Sequence, residues 1–389
     1  MHAAEWLFWA SAAFIVYTYA GYPVLLALRA WLHPLPPVLK GDARPVASLL
    51  IVAHDEEKHI ENKIRDCLAQ DYPADRLEVI VASDGSRDST DAIVASHADR
   101  GVRLVSLPGP RGKPAALNRV VPLARGAILV LSDARQRLDP SAVSRLVENL
   151  ADETVGAVSG ELHIQGPADT LTGGGVGAYW RFEKWIRQLE ATVDSTVGVT
   201  GALYAVRREL FRPLPENLIL DDVAVPMAVV AAGYRVVFEP RAWAFDTAAA
   251  TPAGEFDRKV RTLAGNFQLV WLQPELLDPR KNRLWWQFLS HKLARLGVPW
   301  ALLATLVTSL TLGLSGGTAL SIYAAAATAL VAFCVAGLAG WLLETRGTRS
   351  RLLSRAGAFL LLNTAAAWAL FQFVSGRSRV TWKDGSRTA

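Results

Sequence analysis

The hydrophobic pattern changes period twice along the chain. Residues 6–28 carry no charge, and neither do residues 296–343, a run of 48 broken by the glycines of LGLSGGT. Between these apolar blocks, short runs of branched aliphatic residues alternate with amphipathic stretches. ASLLIVA, LEVIVAS, VRLVSL and ILVLS read as buried strands, with residues 56–70, 89–98 and 113–124 as helices between them. Such a succession predicts an α/β domain with a largely parallel, doubly wound sheet. After Asp139 the alternation weakens. Residues 141–150 read as a short helix, AVSGELHI as a strand, and GGGVGAYWRFEKWIRQLE as a helix entered through a glycine run. Residues 197–207, then ILDDVAVPMAVVAAGY, then RVVFEP complete one mixed sheet domain that ends near Gln273.

The apolar blocks predict membrane segments. At about 1.5 Å per residue, the 23 residues of the first block are enough for a hydrocarbon core of roughly 30 Å. The opening MHAAE lacks the Lys or Arg of a secretory signal, which predicts a retained anchor. Two spans fit residues 296–343 with a turn near 315–317, and residues 356–376 form a further charge-free segment weakened by Asn363 and Gln372. Before the second block, Trp285, Trp286, Phe288, Leu289, Leu293 and Leu296 share one face against Arg283, Gln287, His291, Lys292 and Arg295, the pattern of an interfacial amphipathic helix. The expected division is an anchor at 1–33, a Pro-rich linker at 34–45, the sheet domain at 46–275, an interfacial region at 276–296, membrane segments at 297–376 and a basic tail at 377–389.

Charge sets the expected orientation. Arg29, His33 and Lys40 follow the anchor, and Arg346, Arg349, Arg351 and Arg355 follow the second block, which puts both regions in the cytoplasm by the positive-inside rule. One span before the domain and three after it would export the basic tail, so a cytoplasmic tail makes the last segment re-entrant or interfacial. The reading is a multi-pass protein of the inner (plasma) membrane with its sheet domain cytoplasmic. Composition agrees: 51% hydrophobic and 20% charged residues, with mean hydropathy +0.21. The net charge of +5 gathers beside apolar segments, which reads as topology and not nucleic-acid binding. Cys67 and Cys334 fall in a soluble helix and an apolar span, so no bridge between them is expected and the domain faces a reducing compartment.

Candidate chemistry lies at strand ends. Asp55 and Glu56 follow the first strand, Asp84 the second and Asp133 the ILVLS strand, while Asp221 and Asp222 precede a helix. Each alone reads more readily as a turn or capping residue than as a ligand. Parallel strands present such ends on one rim, where ligands of open α/β sheets bind. A Gly-x-Gly-x-x-Gly after the first strand is missing, and AHDEE stands there, which argues against a dinucleotide enzyme.

SLLIVAHDEE, VIVASDGSRDSTD, GPRGKPAALN, ILVLSDAR, VTGALYAVRRELF and ILDDVAVPMAVVAAGYRVVFEP resemble, in that order, the motifs of family 2 glycosyltransferases, including membrane-anchored cellulose, chitin, hyaluronan and poly-N-acetylglucosamine synthases. The resemblance covers roughly residues 46–270. It implies a GT-A fold and an inverting transfer from a nucleotide-diphosphate sugar to a lipid-linked or glycan acceptor. By that resemblance Ala53, Glu56 and Asp84 hold the base and ribose, and Lys113 lies by the diphosphate. Asp133 contacts ribose or a divalent ion, Mg²⁺ or Mn²⁺. Asp222 stands at the general-base position with Asp221 orienting the acceptor, and Thr200 and Gly201 line the acceptor pocket. Capping of the helix that begins at Val223 is the other reading of the acid pair.

Two departures stand out. The usual Asp-x-Asp reads Asp133-Ala134-Arg135, where the guanidinium either offsets diphosphate charge or points away and leaves Asp133 alone with the metal. The Gln-x-x-Arg-Trp of processive members reads RKVRT, keeping Arg261 for the pyrophosphate but replacing Gln by Arg258 and Trp by Thr262. That loss points to short products or a partner in a membrane complex. A non-catalytic glycosyltransferase-like subunit that binds nucleotide or glycan is the competing reading, and Arg135 is the residue in its favour.

Overall fold

Residues 2–165, 176–247, 251–315, 322–346 and 350–377 are described by a computed structural model. The glycine run at 173–175, residues 316–317 of the expected turn, Arg349 and the tail from residue 378 lie outside them.

Eight strands form one mixed sheet: β1 (Ala47–Ala53), β2 (Leu77–Asp84), β3 (Val102–Leu107), β4 (Ile128–Asp133), β5 (Arg137–Leu138), β6 (Val155–Gln165), β7 (Tyr204–Arg207) and β8 (Arg235–Thr247). Their order is β3-β2-β1-β4-β7-β6-β8-β5. The first four are parallel, with β1 paired to β2 on one side and β4 on the other. β1, β2 and β4 are buried along nearly their whole length, as near-continuous runs of Val, Ile, Leu and Ala require of strands covered on both faces. β7 runs antiparallel to both β4 and β6.

Helices cover both faces. Ile60–Leu68 and Ala142–Glu148 pack on one side through Ile60, Ile64, Cys67, Val143 and Leu146. Lys113–Val120 and Asp221–Ala231 pack on the other through Ala116, Leu117, Val223 and Met227. The chain crosses from β3 to β4 past β1, so the sheet's switch point lies between β1 and β4, and its crevice opens at their carboxyl ends. Of residues 197–207 only Tyr204–Arg207 forms a strand, and the residues before it form a loop over that rim.

Among the described residues, four helices are long and apolar enough to cross a membrane: His2–Leu32, Trp285–Leu314, Ile322–Glu344 and Arg351–Val374. The first packs along the second, where Phe14 closes on Gly297. The fourth lies along Pro252–Leu272 of the sheet domain, joining Ala365 and Ala369 to Val260 and Ala264.

The segment expected to be interfacial departs from its pattern. Trp285–Gln287 runs through the π-helical turn Phe288–Leu293 into Ala294–Ser315, and its polar side faces inward, leaving Gln287 and His291 each 2% exposed. The cause is Val176–Val193, which presents carboxylates to it. His291 Nδ1 lies 2.8 Å from Glu190 Oε1 and Nε2 lies 2.8 Å from Glu183 Oε1. Tyr22 of the first membrane-type helix donates to Glu190 Oε1 at 2.7 Å, and Arg295 donates to Glu183 Oε2 at 2.6 Å. A buried polar seam thus joins the sheet domain to its apolar helices. Cys67 and Cys334 are both free.

Candidate active site

The parallel register brings the strand-end acids together. Ala53 pairs with Ser83, and its neighbour Val52 pairs with Asp133, so Ala53, Asp84 and Asp133 end adjacent strands on one rim. Antiparallel β7 delivers its preceding loop to the same rim, since Tyr204 pairs with Leu131 two residues short of Asp133. The helix Asp221–Ala231 starts beneath this loop, anchored where Val199 N donates to Asp222 O at 2.8 Å.

At the centre is Lys113, first residue of its helix. Its Nζ lies 2.8 Å from Asp133 Oδ1 and 3.0 Å from Asp221 Oδ2. The first contact is a hydrogen bond. The second is an ion pair only, and Asp221 Oδ2 is buried without a hydrogen-bond partner. Burial disfavours the ammonium, but Asp133 and Asp221 outweigh it and hold Lys113 well above its usual range. It is therefore a fixed cation that screens the two acids on this rim.

Asp222 has a different environment. Burial first and Asp221 second raise its carboxyl to about 6, against the opposing pull of Lys292, Lys113 and Arg187. Gly201 sits over it: a Cβ there would lie 3.7 Å from Asp222 Oδ2 and 3.8 Å from Lys113 Nζ. The missing side chain leaves room for an acceptor group between carboxylate and ammonium. Thr200, also assigned to the acceptor pocket, has its hydroxyl engaged by Arg187 Nη1 at 2.6 Å and its amide by Ser159 Oγ at 2.9 Å. Its place is to hold the loop that presents Gly201.

The end of the rim that the resemblance assigns to the nucleoside is built from turns. Asp84 is fully buried and accepts from Arg111 N and from Gly112 N, the latter at 2.7 Å, so it shapes the turn that launches Lys113. Next to it Gly85 has φ +69°, and a Cβ there would come within 2.6 Å of the Gly109 backbone. Glu56 N donates to Thr90 Oγ1 at 2.9 Å, and Glu56 Oε1 receives Arg135 Nε at 2.8 Å. Arg135 thus turns toward Glu56 and not toward Asp133, with its side chain 67% exposed.

This arrangement limits metal binding. Among the described residues no group of three His, Cys, Asp or Glu converges on one point. Asp133 offers one carboxylate, half-buried, with Oδ1 already on Lys113. That donor set fits an Mg²⁺ or Mn²⁺ ion held jointly with phosphate oxygens and water, and not a closed protein cage. Arg261 is exposed on Pro252–Leu272 and makes no hydrogen bond or ion pair with the central set among the described residues. In the same helix Arg258 pairs with Glu255, and Thr262 Oγ1 donates back to Arg258 O.

Tyr204 escaped sequence reading. It is wholly buried, its hydroxyl has no partner, and Asp221, Lys113, Asp222 and Asp133 all act on it. In the sequence it is one more aromatic in a strand. Only the Leu131 register places it under the site.

Residues 48–214 match the family model for glycosyl transferase family 2. Over 236 residues the chain is 28% identical to a probable glycosyltransferase, YdaM, of Bacillus subtilis, covering 58% of this chain and 56% of that protein. It is 29% identical over 230 residues to the β-monoglucosyldiacylglycerol synthase of Synechocystis, covering 56% and 48%. It is 24% identical over 239 residues to a poly-β-1,6-N-acetyl-D-glucosamine synthase of Staphylococcus aureus, covering 60% and 58%. The chain thus spans about half the length of these curated relatives. The solved structure of the mannosyltransferase PcManGT from Pyrobaculum calidifontis, in complex with GDP-Man and Mn²⁺, superposes with a TM-score of 0.73 over 95% of this chain and 99% of that one, at 24% identity. That likeness gives the fold, which is GT-A. Within this fold, residues 48–214 are thus similar to glycosyl transferase family 2, the family of the model they match.

Proposed function

We propose that this chain is a membrane-anchored, inverting glycosyltransferase that moves a sugar from a nucleotide-diphosphate donor to a hydroxyl of a lipid-linked or growing glycan acceptor on the cytoplasmic face. The observation that carries the reading is Asp222, whose carboxyl is raised to about 6 and faces the space left open by Gly201. A base poised near neutrality combines a high ionised fraction with real proton affinity. The acceptor oxygen bonds to the anomeric carbon while the carbon–oxygen bond to the diphosphate breaks on the opposite side. Asp222 takes the hydroxyl proton, and the diphosphate leaves toward Lys113. Asp221 and Tyr204 set the acceptor's orientation from below, while Ala53, Glu56, Asp84 and Arg135 form the nucleoside end. Arg261 is left for the pyrophosphate, reached from Pro252–Leu272. A divalent ion, held by Asp133, would supply further charge neutralisation for the leaving group.

Several observations support the finer points. The structural neighbour was captured with GDP-Man and Mn²⁺, and relatives are named for making a glycolipid and a polysaccharide. The stretch Arg258–Thr262 offers no tryptophan platform for a sliding glycan, which favours short products. The fourth apolar helix lies along the sheet domain's own Pro252–Leu272, in keeping with an interfacial last segment and a cytoplasmic tail.

Incubation of the purified chain with a panel of UDP-, GDP- and dTDP-sugars and lipid extracts, scored for nucleotide diphosphate release and product length, tests the proposal. Transfer lost in Asp222→Asn with donor binding kept is the expected result. Arg135 in place of the second loop acid favours the alternative of a non-catalytic subunit in a membrane complex. Tight nucleotide binding without transfer or donor hydrolysis across the panel would establish that alternative.

A further inference from the structure

Behind the rim lies a charge that the proposed chemistry leaves unused. Lys63, in the helix Ile60–Leu68, is 0% exposed and surrounded by Ile60, Ile64 and Cys67. Its Nζ donates to Ser132 Oγ at 2.6 Å and to the Gln136 carbonyl at 2.8 Å. These residues flank the Asp133–Arg135 loop on both sides. Ser132 Oγ in turn donates to the Ala202 carbonyl at 2.6 Å, in the loop that carries Thr200 and Gly201. One ammonium therefore reaches the donor loop directly and the acceptor loop through a single hydroxyl.

A buried ammonium is retained only where hydrogen bonds and opposing charge offset its desolvation. The groups acting on it are Cys67 and Asp66 of its own helix and Asp133 and Arg137 of the facing segment. Burial holds the Cys67 thiol up at about 12, so it provides no thiolate at neutral pH. Asp66 is occupied: its two oxygens receive Arg137 Nε and Nη2, and Oδ2 also receives Leu138 N. Asp133 is the carboxylate left over. Lys113 thus pairs with it from the crevice, and Lys63 acts on it from the interior.

We propose, building on the transfer reaction above, that Lys63 is a positioning residue that pins both ends of the Asp133–Arg135 loop and, through Ser132, holds donor and acceptor loops in register. Charge-assisted bonds are about twice as strong as neutral ones, so an ammonium is a stiffer clamp than a hydroxyl or amide. Misplacement of reacting groups by about 1 Å costs about 100-fold in rate.

The test uses the whole chain in detergent or nanodiscs, with Lys63→Met, which keeps the length and shape of the side chain, and Ser132→Ala, which keeps the Lys63–Gln136 bond. Lys63→Met is expected to lower kcat about 10- to 100-fold and to raise both donor and acceptor KM. Ser132→Ala is expected to raise acceptor KM and leave donor KM near wild type. A folded Lys63→Met with wild-type kcat and both KM values overturns the proposal. Should that variant fail to fold, Ser132→Ala decides, and an unchanged acceptor KM overturns it. UDP and GDP titrations separate the two readings. A wild type that transfers nothing sinks the reaction but not the clamp, whereas wild-type nucleotide affinity and kinetics in Lys63→Met sink the clamp alone.

Discussion

Replacing Asp222 by Asn should make the protein more stable and far less active. The carboxyl is raised from its ordinary 3.8 to about 6, because burial and Asp221 disfavour the charge more than Lys292, Lys113 and Arg187 favour it. At about 1.4 kcal/mol per tenfold change in acidity, ionised Asp222 costs the folded state about 3 kcal/mol at neutral pH. The sign follows from the raised value. The folded protein holds the proton between about pH 4 and 6 where the unfolded chain has released it, so the stability present below pH 4 is lost as pH rises through 6. Asn resembles the protonated acid and does not lose it. The variant should therefore melt above wild type at pH 7.5, with the difference vanishing near pH 4. Its kcat should fall about 10²- to 10⁴-fold, the usual contribution of general-base catalysis, and wild-type kcat/KM should drop about tenfold per pH unit below about 6. Melting curves at the two pH values and donor-release rates from pH 5 to 8 measure both. An Asn variant with wild-type turnover, or an acid limb that persists in its residual activity, refutes the base assignment.

Gly201→Ala should fold normally, since its Cβ meets only ordinary contacts of 3.6 to 3.8 Å, but should raise acceptor KM at least about tenfold by filling the space over Asp222. Donor titration should show unchanged nucleotide affinity. Gly85→Ala should destabilise the protein by more than about 1–2 kcal/mol, because φ +69° and a 2.6 Å approach to the Gly109 backbone add up, and denaturant melts would show it. Chelation should slow transfer only partly, since Asp133 supplies a single protein carboxylate. Complete loss restored at micromolar Mn²⁺ would contradict that.

Much of the site could be read before any coordinates. Asp84 and Asp133 end runs of Val, Ile and Leu too continuous for a one-sided sheet, and parallel strands can only bring such ends to one rim. The placing of Asp221 and Asp222 together at the rim also had a sequence signal, in that capping explains one acid more readily than two. Lys63 was missed although its signal was present: it lies three residues after Ile60 and one before Ile64, on the apolar face of its helix, where a lysine must be paired. The polar side of residues 284–296 was assigned to water because periodicity reports that one face differs from the other, not which face is buried. His291 turns inward because Glu183 and Glu190 wait there, about a hundred residues away, and no local pattern carries that distance. The direction of Arg135 was equally hidden, since it depends on Glu56 across the crevice.

The seam of Tyr22, Glu190, His291, Glu183 and Arg295 bears on modularity. Cutting the catalytic domain away from its first and second apolar helices would strand two glutamates in an apolar cleft, and removing one member of a buried ionic set typically costs about 3–5 kcal/mol. An excised residue 46–275 fragment should accordingly aggregate. For the same reason the first apolar helix cannot be traded for an unrelated one. It is a structural part of the fold, and any natural reshuffling of this domain onto other apolar helices has to carry Tyr22 and His291 along.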